Sequence, residues 1–142
     1  MPQKFMWKHV SDKPSIMANN TLLVKWLPQS DHLGHDKIRA FVSHGVTNGV
    51  QEAIYHGVGF ATVPRQFDNL LRLEERGAAK DLDIGSFNRG IFLQDLQEVL
   101  HNGAYKSNMQ RLSRLHRDHP MKPLDRAVYW IEFVMKKLLT CA

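Results

Sequence analysis

A turn with two glycines is the segment of this sequence whose residue types are best suited to hold an anion. It runs His44-Gly45-Val46-Thr47-Asn48-Gly49. The glycines let the backbone come close to a phosphate, and the His, Thr and Asn side chains add hydrogen-bond donors. A helix that starts here would point its free N–H groups and its dipole at the anion. The segment predicts a phosphate site, while the same glycines also suit tight packing of a strand against a helix.

Three nearby residues are of types that can recognise the rest of a nucleotide. Glu52 lies one helical turn beyond the glycine segment, where a carboxylate accepts hydrogen bonds from paired hydroxyls such as those of a ribose. Trp26 offers a flat indole for stacking on a base, and Gln29 offers an amide for a base edge. A tryptophan buried in the core is the other interpretation of Trp26.

These residues need a scaffold that brings the ends of strands next to the starts of helices. Short apolar runs alternate with longer helical patterns, which predicts an α/β fold with a parallel sheet flanked by helices. Strands are predicted over residues 5–10, 21–27, 38–43, 59–63 and 79–84, and helices after Gly49 and over residues 69–76, 92–100, 105–115 and 124–139. Ligands of such sheets bind outside the carboxyl ends of the strands, which is where residues 44–49 fall.

Length and composition indicate one globular domain over residues 1–142. The chain is 43% apolar and 23% charged, and its net charge of +5 favours anionic partners without selecting nucleic acid. Cys141 is the only cysteine, so an internal disulfide and a cysteine zinc cluster are excluded. The opening residues lack the uninterrupted apolar run of a signal peptide. The most apolar window, residues 127–135, is interrupted by Glu132 and is shorter than a membrane-spanning helix.

Other clusters give weaker indications of function. The pairs His32/His35 and His116/His119 have no converging carboxylate or cysteine set, so no metal site is predicted. The basic C-terminal third carries no interleaved aromatic residues and no nucleic-acid motif, which favours a solvated helix surface. The stripe Tyr129, Trp130, Phe133 and Val134 is interpreted as core or as a domain-docking surface.

Together these motifs resemble the nucleotide-sugar signature of the UDP-glycosyltransferases, and most closely the C-terminal domain of vertebrate UDP-glucuronosyltransferases. The resemblance rests on Trp-Leu-Pro-Gln at 26–29, Leu-Gly-His at 33–35, Arg-Ala-Phe-Val-Ser-His-Gly at 39–45, Asn-Gly at 48–49 and Glu-Ala-Ile-Tyr-His-Gly-Val at 52–58. Residues 111–116 and 120–135 continue it. The resemblance implies the C-terminal half of a GT-B fold made of two Rossmann-like halves, incomplete here at its N-terminal edge.

The resemblance also implies roles for individual residues. Trp26 would stack on uracil, Gln29 would face the uridine, and Glu52 would bind the ribose hydroxyls. His44 and the turn from Gly45 through Asn48 to Gly49 would hold the diphosphate. Counted without a gap, the pair that contacts the donor sugar falls on Asp68 and Asn69, although an alignment with a deletion matches these two to a later Asp-Asn of the family.

One departure from the family pattern falls inside the expected phosphate site. The family reads His-Gly-Gly, and Val46 stands at the second glycine. A β-branched residue is strained where the backbone has positive φ, so retention of that geometry at Val46 would cost about 1–3 kcal/mol.

Two functions from different classes follow from the resemblance. The first is the donor half of a glucuronosyltransferase-like enzyme, which takes a UDP-sugar, with UDP-glucuronic acid the expected one, and a small lipophilic acceptor. The acceptor pocket and the general base would come from an N-terminal domain, so no catalytic residue is assigned. The second is a catalytically inactive module that associates with full-length relatives and modulates them, as a homo- or hetero-oligomer. Neither function involves nucleic acid or a cofactor, and the family implies the lumen of the endoplasmic reticulum.

Overall fold

A computed structural model describes residues 2–62, 67–82 and 88–140 of the chain. The elements in chain order are β1 (Phe5–Lys8), β2 (Thr21–Val24), α1 (Gln29–Leu33), β3 (Ala40–Ser43), α2 (Thr47–His56), β4 (Gly59–Thr62), α3 (Phe67–Glu74), β5 (Ala79–Asp81), α4 (Arg89–His101), α5 (Gly103–Arg117) and α6 (Pro123–Thr140). Strands and helices alternate from β2 to α4, which confirms the predicted α/β class.

The strands form two parallel sheets. β1 pairs with β2, and β4 lies between β3 and β5 in a three-stranded sheet. Within the described residues no ladder joins the two sheets, whereas the sequence predicted one Rossmann-like sheet. β1, β2 and β3 are shorter than predicted: the pairing of β1 and β2 stops at Lys8 and Val24, and β3 begins at Ala40. The predicted ends of the last two strands, at residue 63 and at residues 83–84, lie outside the described residues.

The core lies between the three-stranded sheet and the helices that pack on it. Gly59, Phe60 and Ala61 of β4 are fully buried, as expected for a central strand of a parallel sheet. The main cluster of buried apolar residues draws on β4, β5, α2, α3 and α5, and consists of Val50, Ala53, Phe60, Leu73, Ala78, Ala79 and Met109. This cluster attaches α2 to both the sheet and α5.

Local sequence signals place the helix ends. Gly57 ends α2 in the left-handed conformation, with φ of 67°, and its N–H donates to the carbonyls of the last turn. Asn102 ends α4 and also caps α5, because its side chain accepts a hydrogen bond from the N–H of Ala104. The predicted break between these two helices at Asn102-Gly103 is therefore present.

α6 differs from the other helices in that all its side chains over residues 123–138 are exposed. Tyr129, Trp130, Phe133 and Val134 are all between 41% and 55% exposed, so they are not part of the core of the described chain. The three aromatic rings pack on one another, with Tyr129 and Phe133 stacked at 6.3 Å between ring centroids. Among the described residues, no helix is both long enough and apolar enough to cross a bilayer.

Candidate nucleotide site

The turn between β3 and α2 has the geometry that its glycines suggested. Gly45 is buried and has φ of 82°, a region in which residues with a Cβ are strained. Val46 follows with φ of −59° and ψ of 142°, an ordinary extended conformation for a β-branched residue. The strain foreseen for retention of positive φ at Val46 is therefore absent, because the left-handed conformation falls one residue earlier, on glycine.

The first turn of α2 has no side-chain cap. Val46 occupies the N-cap position and has no side-chain oxygen, so it gives no side-chain cap to the helix N–H groups. His44, Thr47 and Asn48 are exposed around this end. No acidic residue lies in the first turn of α2, so the positive end of the helix dipole has no carboxylate of its own helix beside it.

Gly49 has a packing role in addition to its place in the turn. A Cβ at this position would lie 3.4 Å from Ser43 Oγ and 3.5 Å from the ring of Phe41, both on β3. The glycine lets α2 begin close against the strand. The packing interpretation of the glycine segment therefore applies to Gly49, while Gly45 makes the turn. Phosphate binding at this segment stays a prediction.

Trp26 projects into solvent beyond the end of β2. Its side chain is among the most exposed large apolar groups of the described chain, at 73%. The interpretation of Trp26 as a core residue is therefore wrong. An indole at a strand end has one face or both available to a flat ligand.

A direct hydrogen bond joins the segment that follows Trp26 to α2. Gln29, the first residue of α1, donates from Nε2 to Oε2 of Glu52, with a distance of 2.6 Å. One residue further along α1, Ser30 Oγ lies 3.0 Å from His56 Nε2. Gln29 and Glu52 are 23 residues apart in the chain, and both were selected from the sequence.

The other end of α2 is held by residues to which the sequence analysis gave no role. The backbone carbonyl of Tyr55 accepts hydrogen bonds from Ser113 Oγ at 2.7 Å and from the guanidinium of Arg117. The same guanidinium lies 4.1 Å from the centroid of the Tyr55 ring. The four-residue spacing of Ser113 and Arg117 places both on one face of α5, and this spacing was the available signal.

Two expected site residues cannot be compared with the geometry. Asp68 and Asn69 belong to α3, but their side chains, and residues 63–66 before the helix, lie outside what the structure describes. For the histidine pairs, the rings of His116 and His119 are 6.2 Å apart. In the described ranges no group of three or more His, Cys, Asp or Glu side chains converges as metal ligands do.

Three glycosyltransferases of known structure share this fold. Spinosyn forosaminyltransferase SpnP superposes with a TM-score of 0.79 at 19% identity, over 93% of this chain and 36% of that protein. The glycosyltransferase of kitacinnamycin gives 0.71 at 25% identity over 84% and 31%, and glycosyltransferase VinC, solved in complex with DTDP, gives 0.75 at 20% identity over 87% and 31%. The fold is confirmed as the predicted C-terminal half of a GT-B glycosyltransferase.

Sequence comparison shows the family. The profile described as UDP-glucoronosyl and UDP-glucosyl transferase matches residues 1–138, and the chain belongs to this family. It is 49% identical to UDP-glucuronosyltransferase 2C1 of Oryctolagus cuniculus and 48% identical to UDP-glucuronosyltransferase 2B15 of Homo sapiens, each over 96% of this chain. The chain spans 28% and 26% of the length of these two relatives. The resemblance in the sequence is confirmed, and the comparisons do not favour the interpretation as an inactive module.

Proposed function

We propose that this chain binds the UDP part of a UDP-sugar and forms the donor half of a glycosyltransferase. The observation that carries the proposal is the exposed indole of Trp26 at the end of β2. The hydrogen bond from Gln29 to Glu52 connects the segment after this indole to α2, whose first turn has no side-chain cap from Val46. A flat apolar surface, a carboxylate and a helix N-terminus are the three features that a base, a ribose and a diphosphate require.

In this proposal each part of the nucleotide has its own residues. Uracil stacks on Trp26, and the ribose hydroxyls donate to the carboxylate of Glu52. The diphosphate lies at the turn formed by His44, Gly45, Asn48 and Gly49, where backbone N–H groups of the first turn of α2 donate to its oxygens. Asp68 and Asn69 are proposed to contact the donor sugar, and glucuronic acid is the sugar named in the relatives at 48–49% identity.

The chemical contribution of this half is stabilisation of the leaving group. In an inverting displacement, the acceptor oxygen forms a bond to the anomeric carbon, and the bond from that carbon to the β-phosphate oxygen breaks. UDP departs with the electron pair, and donors at the start of α2 stabilise its charge. The acceptor proton passes to a base in the N-terminal domain that the family implies. The same domain supplies the pocket for a small lipophilic acceptor. By family, we place this reaction in the lumen of the endoplasmic reticulum, in a homo- or hetero-oligomer.

Isothermal titration of the purified chain with UDP tests donor binding. We expect measurable heat at millimolar UDP, and Trp26→Ala should weaken binding about tenfold or more, since base stacking on an aromatic ring contributes ~1–3 kcal/mol. Trp7→Ala is the matched control, because Trp7 is also an exposed indole, on β1, and the proposal gives it no ligand. Absence of heat from a chain shown to be folded by circular dichroism would contradict donor binding.

A further inference from the structure

The bond between Gln29 and Glu52 assigns one of these residues a task different from the one the sequence suggested. At 2.6 Å and partly buried, it is a short hydrogen bond from an amide to a carboxylate. One of the two N–H groups of the Gln29 amide is used in this bond, together with one of the two oxygens of Glu52. The other oxygen, Oε1, is left to accept from a hydroxyl.

The backbone on both sides of this bond is fixed by regular structure. Gln29 is the first residue of α1, directly after Pro28, whose ring fixes φ before the helix begins. Glu52 lies in the second turn of α2, the helix attached to the core through Val50 and Ala53. The two side chains therefore meet because two anchored helices meet.

Glu52 depends on this amide for its orientation. Across the described residues, the ion pairs involve Asp95, Glu98 and Glu132, and none involves Glu52. A glutamate side chain has three rotatable bonds and samples several rotamers unless a partner selects one. The hydrogen bond from Gln29 selects the rotamer seen in the structure.

We propose that Gln29 is a positioning residue for ribose recognition: its amide holds the carboxylate of Glu52 so that Oε1 receives a ribose hydroxyl, and it acts on the ligand through Glu52. This inference rests on the proposed function. It differs from the expectation that Gln29 faces the uridine directly, because it gives the amide a task on Glu52 instead of on the base.

A double-mutant cycle on the full chain, read with two nucleotides, tests the assignment. The probes are UDP and 2′-deoxy-UDP, which differ by one ribose hydroxyl. We expect the wild-type chain to prefer UDP about tenfold, the range for one hydrogen bond to a charged acceptor. Gln29→Ala should reduce that preference nearly to the value for Glu52→Ala, and the double variant should equal Glu52→Ala alone.

The contrary result is equally specific. If Gln29 contacts the base directly, Gln29→Ala will weaken both nucleotides equally, keep the preference for UDP, and add its full effect to Glu52→Ala. That outcome overturns the assignment while leaving the proposed function intact. A folded wild-type chain that binds neither nucleotide overturns the proposed function and this inference together.

Two further variants control for changes in structure. Ser30→Ala removes the neighbouring hydrogen bond between α1 and α2, which joins Ser30 and His56, without touching Glu52, and it should leave the UDP preference unchanged. Should Gln29→Ala not fold, Gln29→Asn provides the same test, since it keeps an amide but is one methylene too short for the 2.6 Å bond. A loss of UDP preference in Ser30→Ala equal to that in Gln29→Ala would show a general effect of helix placement and contradict the assignment.

Discussion

α2 and α6 are both amphipathic helices, yet only α2 is built into the fold. α2 packs on β4 and α5 through Val50 and Ala53, and the carbonyl of Tyr55 in its last turn accepts hydrogen bonds from α5. The side chains of α6 are exposed over residues 123–138, including Ile131 at 60% and Leu138 at 68%. Helices in proteins gain most of their stability from packing of the apolar face, so the two helices should respond very differently to the same substitution. A site that must hold several ligand groups in register needs the first kind of helix.

The largest difference is expected for methionine truncation in the two regions. Met109 on α5 is fully buried in the cluster that holds α2, whereas Met135 on α6 is 56% exposed. Met109→Ala should lower the free energy of unfolding by about 2–5 kcal/mol, and Met135→Ala should change it by no more than about 0.5 kcal/mol. Urea denaturation followed by circular dichroism measures both. Equal losses would show that α6 is packed in solution, and would end the distinction between the helices.

A backbone substitution tests the turn that begins α2. Gly45 has φ of 82°, so Gly45→Ala should cost about 1–3 kcal/mol of stability or force the turn to change. If the turn changes, we expect UDP binding to fall, because the N–H groups of the first turn move. Gly103→Ala is the control, because a Cβ there meets no atom within 4 Å. Unchanged stability and unchanged UDP affinity in Gly45→Ala would contradict the geometry of the turn.

A substitution at the C-terminal end of α2 should have a smaller effect on stability. Arg117→Ala removes the guanidinium that donates to the Tyr55 carbonyl and covers the Tyr55 ring. We expect a loss of about 1–2 kcal/mol, since Arg117 is exposed and these contacts face solvent. Arg111→Ala, an exposed arginine on the same helix, should change stability by less than about 0.5 kcal/mol. Thermal denaturation of the two variants side by side distinguishes them, and equal shifts would remove Arg117 as an anchor of α2.

The smallest effect is expected where α4 and α5 meet, and it depends on pH. Tyr105 donates a hydrogen bond of 2.6 Å to Glu98. Burial and this carboxylate raise the pKa of Tyr105 to about 12. The hydrogen bond from the tyrosine lowers the pKa of Glu98. The raised pKa stabilises the fold below about pH 10, and this stabilisation is lost as pH rises toward 12. The lowered pKa of Glu98 stabilises the fold above its ordinary value of 4.5, and this is lost as pH falls.

Tyr105→Phe should therefore cost about 1 kcal/mol between pH 6 and pH 9, and the cost should shrink at both extremes. Urea denaturation at pH 4, 7 and 11 measures the profile. A cost that does not change with pH would show that the tyrosine contributes packing alone.

The element boundaries predicted most accurately are those marked by glycine or asparagine. Gly59 begins β4, and Asn102-Gly103 separates α4 from α5, so these predicted boundaries are close to those observed. The pattern of short strands and longer helices predicted the α/β class. The turn that starts α2 was also predicted, because few residues other than glycine adopt its backbone conformation.

The features that could not be predicted from the sequence depend on contacts between residues that are distant in the chain. Whether Trp26 is exposed cannot be deduced from an apolar run, since an indole at a strand end has the same sequence pattern whether buried or free. The hydrogen bond from Gln29 to Glu52 depends on how α1 meets α2, and the exposure of α6 depends on the absence of a partner for its apolar face among the described residues. The lengths of β1 and β2 were overestimated for the same reason, because the two strands stop pairing together at Lys8 and Val24.

The central claim is that a nucleotide base stacks on Trp26, and the indole N–H resonances test it most directly. The chain has three tryptophans, Trp7, Trp26 and Trp130, so a proton–nitrogen NMR spectrum has three such signals, and single Trp→Phe variants assign them. On titration with UDP, we expect the Trp26 signal to shift progressively to saturation while those of Trp7 and Trp130 stay in place. A Trp26 signal that does not move at saturating UDP, or equal movement of all three, would contradict the account.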